Sequence, residues 1–226
     1  MTIARFKDLC IDANDAHRLG TFWAGVLGRT LADHDDGSAH LDGTEAHERV
    51  WVNLVPESKT VKHRVHFDVY ARSIAELEAL GASVVRKPDG EISWTVMTDP
   101  EGGEFCVVTR EDPPPQRLYT LVVDAADARA QAHWWYEVLG GRIVNHRDDW
   151  WGLERIPGAP FTRLTFVNVP EPKTVKNRIH WDIEAEDPQD LVRRGARLLR
   201  EPDDDISWHV LADPEGNEFC SFQPRR

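Results

Sequence analysis

Apolar and polar residues alternate along several short stretches of this 226-residue chain, and stretches of helical spacing lie between them. Near the start, Leu9-Cys10-Ile11-Asp12 alternates as a half-buried strand does. Apolar residues then recur every three or four positions over 16–27, after Asp15 as a helix cap and before Gly28 as a stop. The spacing predicts a strand followed by a helix.

Shorter alternating stretches follow this helix, and the same order then begins again. After the first helix the pattern predicts strands near 30–35, 38–42 and 49–55. The second round is predicted to run as a strand over 65–69, a helix over 74–81 capped by Ser73 and ended by Gly81, and strands near 83–87, 93–98 and 104–109. Two strand-helix-strand-strand-strand (βαβββ) modules therefore fill the first half of the chain.

The second half of the chain repeats the first. Residues 55–68 recur as 169–182, and 99–106 recur as 213–220, both at an offset of 114. Three consecutive prolines between the copies favour an extended linker. The sequence thus predicts one domain over 1–111, a proline-rich linker over 112–117 and a second domain over 118–226.

The predicted fold class is α+β, with two βαβββ modules in each copy. A four-stranded module buries one sheet face under its helix and leaves the other face uncovered. Two modules placed edge to edge are expected to curl into an eight-stranded half-barrel whose concave face forms a pocket. The sequence leaves open whether the modules of one copy pair with each other or across the linker.

Charge and composition limit the kinds of molecule that the chain is expected to bind. A formal net charge of −12 argues against a nucleic-acid surface, and no apolar run approaches the ~20 residues of a membrane helix. Three widely spaced cysteines suit reduced thiols and a cytoplasmic location. Nine tryptophans favour a pocket for a small organic molecule. The chain is expected to be a monomer or a homodimer.

The helix end at 135–140 and the Asp-Pro-Glu-Gly-Asn-Glu-Phe-Cys segment at 213–220, with its twin at 99–106, resemble the vicinal oxygen chelate superfamily. That superfamily includes glyoxalase I, the extradiol dioxygenases and the bleomycin-resistance proteins. The resemblance extends over nearly the whole chain, twice, and implies tandem glyoxalase-like domains. It leaves the activity open, because this scaffold hosts many chemistries.

The resemblance also implies positions for metal ligands. They fall on Asp8, Asn53, His66 and Cys106 in the first copy, and on Thr120, Val167, His180 and Cys220 in the second. Neither set offers the several imidazoles and carboxylates that such metal sites use. We therefore expect no metal cofactor, and glyoxalase I and extradiol dioxygenase activities are disfavoured. If zinc or iron is bound, Asp8, His66 and Cys106 are the expected ligands.

Strand alternation predicts two matching polar clusters in the pockets. Their members are Arg64, His66 and Asp68 in one copy and Arg178, His180 and Asp182 in the other. The arginines suit a carboxylate or phosphate, and each histidine suits a general base. In the alternative interpretation, the arginine and the aspartate pair with each other or with the Lys-Thr-Val-Lys loop, and the histidine satisfies a buried backbone group. Trp94 and Trp208 are expected as pocket walls, and Cys106 and Cys220 as buried thiols rather than nucleophiles.

Two functions compete, with a structural interaction module as a third class. The first is a metal-independent binding protein that sequesters a small organic molecule, as drug-resistance proteins do. The second is a lyase, isomerase or cyclase in which His66 or His180 acts as a base, with metal assistance in the first domain as a variant. The sequence favours the first.

Overall fold

The computed structural model describes residues 2–45 and 48–224. Over these residues it contains sixteen strands and four helices. In chain order they are β1 (Ala4–Ala13), α1 (Ala16–Leu27), β2 (Thr30–Asp33), β3 (Ala39–Asp42), β4 (Val50–Leu54), β5 (Val65–Ala71), α2 (Ile74–Leu80), β6 (Ser83–Arg86), β7 (Thr95–Thr98), β8 (Glu104–Thr109), β9 (Leu118–Ala125), α3 (Ala128–Leu139), β10 (Arg142–Arg147), β11 (Trp150–Glu154), β12 (Arg163–Asn168), β13 (Ile179–Ala185), α4 (Pro188–Arg193), β14 (Arg197–Arg200), β15 (His209–Ala212) and β16 (Glu218–Phe222).

The predicted helix ends are confirmed. The side chains of Asp15 and Ser73 each accept a hydrogen bond from the backbone N–H three residues later, as N-caps do. Gly28 and Gly81 end the helices at φ values of 66° and 109°, in the left-handed region that favours glycine. The predicted strands are present with small changes in their ends; β7, for example, begins at Thr95 rather than at 93.

The strands form two eight-stranded mixed sheets, each built from one module of each copy. Sheet A has the order β14-β15-β16-β13-β1-β4-β3-β2, and sheet B has the order β10-β11-β12-β9-β5-β8-β7-β6. At the centre of sheet A, β1 pairs with β13 in antiparallel fashion, and at the centre of sheet B, β5 pairs with β9. The α+β fold of four βαβββ modules is confirmed, and the modules pair across the linker rather than within a copy.

Helices α1 and α3 each pack against both sheets. Trp23 of α1 packs edge-on against Phe67 and Phe105 of sheet B, with ring centroids 5.1 and 5.2 Å apart. Trp135 of α3 makes the matching contact with Trp181 of sheet A at 4.8 Å. Both tryptophans are fully buried, so the core continues from one sheet to the other. None of the described helices has the length and apolar character needed to cross a membrane.

Candidate functional site

Each sheet carries a polar cluster on the face turned away from the helices. In β1, Leu9 and Ile11 enter the core, whereas Asp8 and Cys10 lie on the opposite face. The same alternation in the other central strands gives each sheet a polar floor. We call the concave face of sheet A cleft A, with a floor of Cys10, His180, Asp182 and Cys220, and that of sheet B cleft B, with a floor of His66, Asp68 and Cys106.

In cleft B the imidazole of His66 and the carboxyl of Asp68 come close without a hydrogen bond between them. His66 and Asp68 are two residues apart on β5, and Cys106 of β8 pairs with Asp68. His66 Nε2 lies 3.6 Å from Asp68 Oδ1, beyond hydrogen-bond distance. That oxygen is buried and has no hydrogen-bond partner among the described residues. The floor therefore holds an unsatisfied acceptor beside an imidazole.

Cleft A repeats this arrangement and adds a second thiol. His180 Nε2 lies 3.9 Å from Asp182 Oδ1, which is again buried without a partner among the described residues, and Cys220 pairs with Asp182. Cys10 of β1 lies opposite His180, and its thiol donates to Asp182 Oδ2 at 3.5 Å. In cleft B the residue opposite His66 is Val122.

Burial sets the protonation states of both floors. It lowers the pKa of His66 and of His180 to about 4 and raises the pKa of Asp68 and of Asp182 to about 7. It also raises the pKa of the floor thiols, which is opposite to what an activated cysteine nucleophile needs. At neutral pH each floor holds a neutral imidazole and protonated thiol groups, beside a carboxyl that keeps its proton to a higher pH than an exposed aspartate does.

The wall of cleft B is aromatic. The rings of Trp94 and Trp150 are 6.0 Å apart, and the guanidinium of Arg147 lies 4.4 Å above Trp150. Gly152 and Thr165, on the same side of this cleft as Trp150, are paired across β11 and β12 and present no large ring. Trp94, predicted as a pocket wall, thus lies beside a second tryptophan.

The wall of cleft A is different. Trp208 stacks on Phe222 at 5.2 Å on one side. On the other side Trp51 pairs with Cys10 and stacks on His34, with ring centroids 5.4 Å apart. His34 Nε2 in turn lies 2.7 Å from a ring nitrogen of His40, whose other nitrogen bonds to Asp42.

The resemblance implies one set of metal ligands in each copy of the sequence. The fold separates the members of each set between the two sheets. Asp8 lies in sheet A beside Asp182 and forms an ion pair with Lys7, whereas His66 and Cys106 lie in sheet B. The expected trio of Asp8, His66 and Cys106 is therefore wrong, because β1 pairs with β13 of the other copy. Asn53 lies at the end of β4 opposite Asp12.

The second predicted set is divided in the same way. Thr120 is buried opposite Asp68 in cleft B, and Val167 pairs with Asp124 at the end of β12. His180 and Cys220, assigned with them, belong to cleft A. The sequence analysis did not identify Cys10 as a floor residue. The alternation along β1 could have done so, because it places Cys10 on the same face as Asp8 and Asp12.

Arg64 and Arg178 lie outside the floors and hold loops together. Arg64 donates to the backbone carbonyls of Glu171 and Asp124 at 2.6 and 2.9 Å. Arg178 donates to the carboxylate of Glu101 at 3.0 Å and to a backbone carbonyl of the facing loop. These contacts direct both arginines to loop and strand-end partners, although Arg64 Nε is buried without a partner among the described residues. The crossing loops enclose a cavity of about 1050 Å³.

The resemblance raises the question of a metal ion at the floors, and the donors present on each floor can be compared with what such ions need. An iron triad needs two histidines and a carboxylate, but each floor contains one histidine among the described residues. Zinc takes four ligands from cysteine, histidine and carboxylate. In each cleft the described residues bring three such donors within 4.8 Å of one another, one fewer than zinc takes: Cys10, His180 and Asp182 in cleft A, and His66, Asp68 and Cys106 in cleft B.

Comparison with known proteins agrees with this architecture. A family model described as a glyoxalase-like domain matches residues 8–108 and again 120–222. Glyoxalase I from Zea mays superposes with a TM-score of 0.70 at 16% sequence identity, covering 97% of this chain and 92% of that chain. A putative dioxygenase from Bacillus subtilis superposes with a TM-score of 0.62 at 14% identity, covering 99% of this chain and 86% of that chain.

A search of curated protein sequences returned no match. The structural likenesses are at low identity and show the fold alone, whereas the family model covers both copies. The chain belongs to the glyoxalase-like domain family of the vicinal oxygen chelate superfamily, with two tandem copies of the domain.

Proposed function

We propose that the protein binds small organic molecules in its two clefts, and that in cleft B this binding needs no metal ion. The observation that carries the proposal concerns the histidine and the aspartate of each floor. The two side chains lie close together without a hydrogen bond between them. In cleft B the carboxyl oxygen of Asp68 and the imidazole of His66 lie 3.6 Å apart and do not bond to each other. A buried polar atom without a partner costs free energy. A ligand hydroxyl or amide that bridges the two groups removes that cost.

The charge of the floor favours a neutral ligand. A neutral imidazole, a protonated thiol and a carboxyl whose pKa burial raises supply hydrogen bonds, and burial disfavours charge on all three groups. A charged ligand would lose its hydration in the cleft without gaining a counter-ion. The nearby Trp94 and Trp150 supply apolar faces for a ring. The ligand class is therefore a neutral, flat molecule that carries a hydroxyl or amide group.

A thermal-shift screen with neutral hydroxylated aromatic compounds tests this proposal. Compounds that bind are expected to raise the melting temperature of the wild-type chain. The Asp68→Asn and Trp94→Leu variants should each weaken binding to cleft B. Trp134→Phe is the matched control, because Trp134 donates to the carbonyl of Arg194, away from the clefts. The proposal fails if no compound raises the melting temperature of the wild type.

A second candidate function is a proton transfer, as in an isomerase or lyase. The pKa of about 7 for Asp68 and Asp182 matches the working pH of a general acid or base. His66 and His180, which the sequence suggested as bases, would be weak bases at a pKa of about 4. We therefore assign any proton transfer to the aspartates.

This second function is tested on compounds that pass the binding screen. If one of them is converted, Asp68→Asn or Asp182→Asn should abolish turnover, and the rate should change with an apparent pKa near 7. Turnover that survives in the double variant would contradict the assignment. Binding without turnover would leave the sequestering function alone.

We also expect the chain to act in a reducing compartment such as the cytoplasm, as a monomer or a homodimer. Its three cysteines are free, and Cys10 is buried. Two complete sheets are already formed within one chain. Light scattering after size-exclusion chromatography measures the oligomeric state.

A further inference from the structure

One end of sheet B carries a pair of tyrosines between two arginines. The rings of Tyr70 and Tyr119 have their centroids 4.8 Å apart. The guanidinium of Arg110 donates to the Tyr70 hydroxyl at 3.1 Å and lies 4.1 Å from the centre of that ring. The guanidinium of Arg163 donates to the Tyr119 hydroxyl at 2.7 Å. We call these four residues the tyrosine–arginine cluster.

The cluster lies beyond the floor of cleft B along the same strand. Tyr70 follows Asp68 by two residues in β5, which places it about 7 Å farther along the strand. Arg110 follows the end of β8 and is exposed. A cavity of about 600 Å³ opens beside it, lined by Arg72, Thr109, Arg110 and Glu111. The cluster is therefore separate from the floor groups and open to a ligand from solvent.

The hydrogen bonds of the cluster leave donors without acceptors. Each phenol oxygen already accepts from a guanidinium, so both O–H groups need acceptors of their own. One O–H can donate to the oxygen of the other tyrosine, and the second is then left without an acceptor among the described residues. A guanidinium carries five N–H donors, and Arg110 uses one of them. The cluster is a set of donors that lacks an acceptor.

The cluster also carries positive charge that no described acid neutralises. Glu154 is shared between Arg163 and Arg142, so one carboxylate faces two guanidinium groups. Arg110 and the neighbouring Arg72 form no ion pair among the residues that the structure describes. This surplus of arginine is local, because the formal net charge of the whole chain is −12. An anion would find a counter-ion here.

The corresponding end of sheet A lacks these features. In the repeat, Glu184 of β13 stands in place of Tyr70. Arg49, which corresponds to Arg163, donates through two nitrogens to Asp42 at 3.0 and 2.8 Å. A carboxylate thus replaces a phenol, and the matching guanidinium is already held by an acid of its own.

We propose that the tyrosine–arginine cluster binds an oxyanion, the phosphate or carboxylate group of a small molecule, and that the corresponding end of sheet A does not. An oxyanion supplies the acceptors that the phenol O–H and the N–H groups of Arg110 lack, and a guanidinium binds such anions through paired hydrogen bonds. The site is independent of the neutral ligand proposed for the floors, because it uses none of the floor residues.

Titration calorimetry of the full chain with sodium phosphate, and separately with sodium acetate, tests this proposal against sodium chloride at equal ionic strength. The wild type should bind phosphate or acetate saturably at one ion per chain, and the two salts show which group is preferred. Arg110→Gln should weaken this binding by about tenfold or more, because hydrogen bonds to charged groups are the strong ones. Tyr70→Phe, which keeps the ring, should weaken it by a smaller factor.

Arg49→Gln is the matched control at the corresponding end of sheet A and should leave the binding unchanged. Arg110 is exposed, so its replacement should not unfold the chain, and the melting temperatures of the variants check this. The proposal is overturned if neither oxyanion binds more tightly than chloride, if Arg110→Gln binds as tightly as the wild type, or if Arg49→Gln weakens binding equally. Because no organic ligand is used, failure here is distinct from failure of the function proposed for the clefts.

Discussion

Clefts A and B share a floor and differ in their walls. The imidazole, carboxyl and thiol are the same in both, but Trp51 and His40 of cleft A correspond to Thr165 and Gly152 of cleft B. These shared floor groups lie within the segments that recur between the copies, 55–68 with 169–182 and 99–106 with 213–220. From this difference we expect the two floors to make similar contacts with a ligand, and the walls to make the two clefts differ in the ligands that they bind.

The largest expected effect tests whether the two copies are equivalent in their core. Trp23→Ala and Trp135→Ala should each lower the free energy of unfolding by about 4 kcal/mol, because each ring is fully buried against aromatic partners of the opposite sheet. Urea unfolding measures both. Tyr136→Phe, on an exposed ring, is the control and should change little. A large inequality between the two tryptophans would break the equivalence of the copies.

The pH dependence of stability tests the carboxyl of each floor. Because burial raises the pKa of Asp68 to about 7, the folded chain holds its proton more tightly than the unfolded chain. The stability that this group contributes is complete below about pH 4 and is lost as the pH rises to about 7. Asp68→Asn should therefore gain about 4 kcal/mol relative to the wild type between pH 4 and 8.

Asp182→Asn should behave like Asp68→Asn, since burial raises both pKa values to about 7. Chemical unfolding at a series of pH values measures the two differences. A difference from wild type that does not change with pH would show that the carboxyl is charged in the folded chain and would remove the basis for a neutral floor.

The buried histidines should give the opposite pH dependence of stability. Burial lowers the pKa of His66 to about 4, so the stability it contributes is present above about pH 6.5 and is lost as the pH falls to about 4. His66→Gln should gain up to about 3 kcal/mol relative to the wild type over that interval. His17→Gln, on an exposed side chain, is the control. A gain at high pH instead would contradict a neutral buried imidazole.

The smallest expected effect concerns the walls and sharpens the difference between the clefts. Trp51→Thr gives cleft A the residue of cleft B, and it should weaken the binding of an aromatic ligand there by about fivefold, because stacking contributes about 1 kcal/mol. Titration calorimetry measures this change. Binding that is lost equally from both clefts would show that Trp51 acts through the fold rather than as a wall.

Local structure was predictable from the sequence because its causes are local. Asp15 and Ser73 cap helices, Gly28 ends one, and the alternation of each strand marks its buried face. The repeat at a fixed offset then predicted four modules of one kind. These signals lie within a few residues of the elements they define.

The pairing of modules was not predictable, because its cause is not local. As β5 and β13 are repeats of each other, either would present β1 with nearly the same edge. The grouping of Asp8 with His66 failed for this reason. Likewise, the positions of Arg64 and His66 in the alternation gave no sign that one side chain reaches a facing loop while the other is buried.

The exchange of modules between the sheets has a consequence for the linker. Each half of the chain supplies four strands to sheet A and four strands to sheet B. The first half pairs with the second through β1 in sheet A and through β5 in sheet B. Proteolysis between 112 and 117 should therefore leave two fragments that remain bound until denaturant is added, since neither fragment alone contains a finished sheet or a complete cleft.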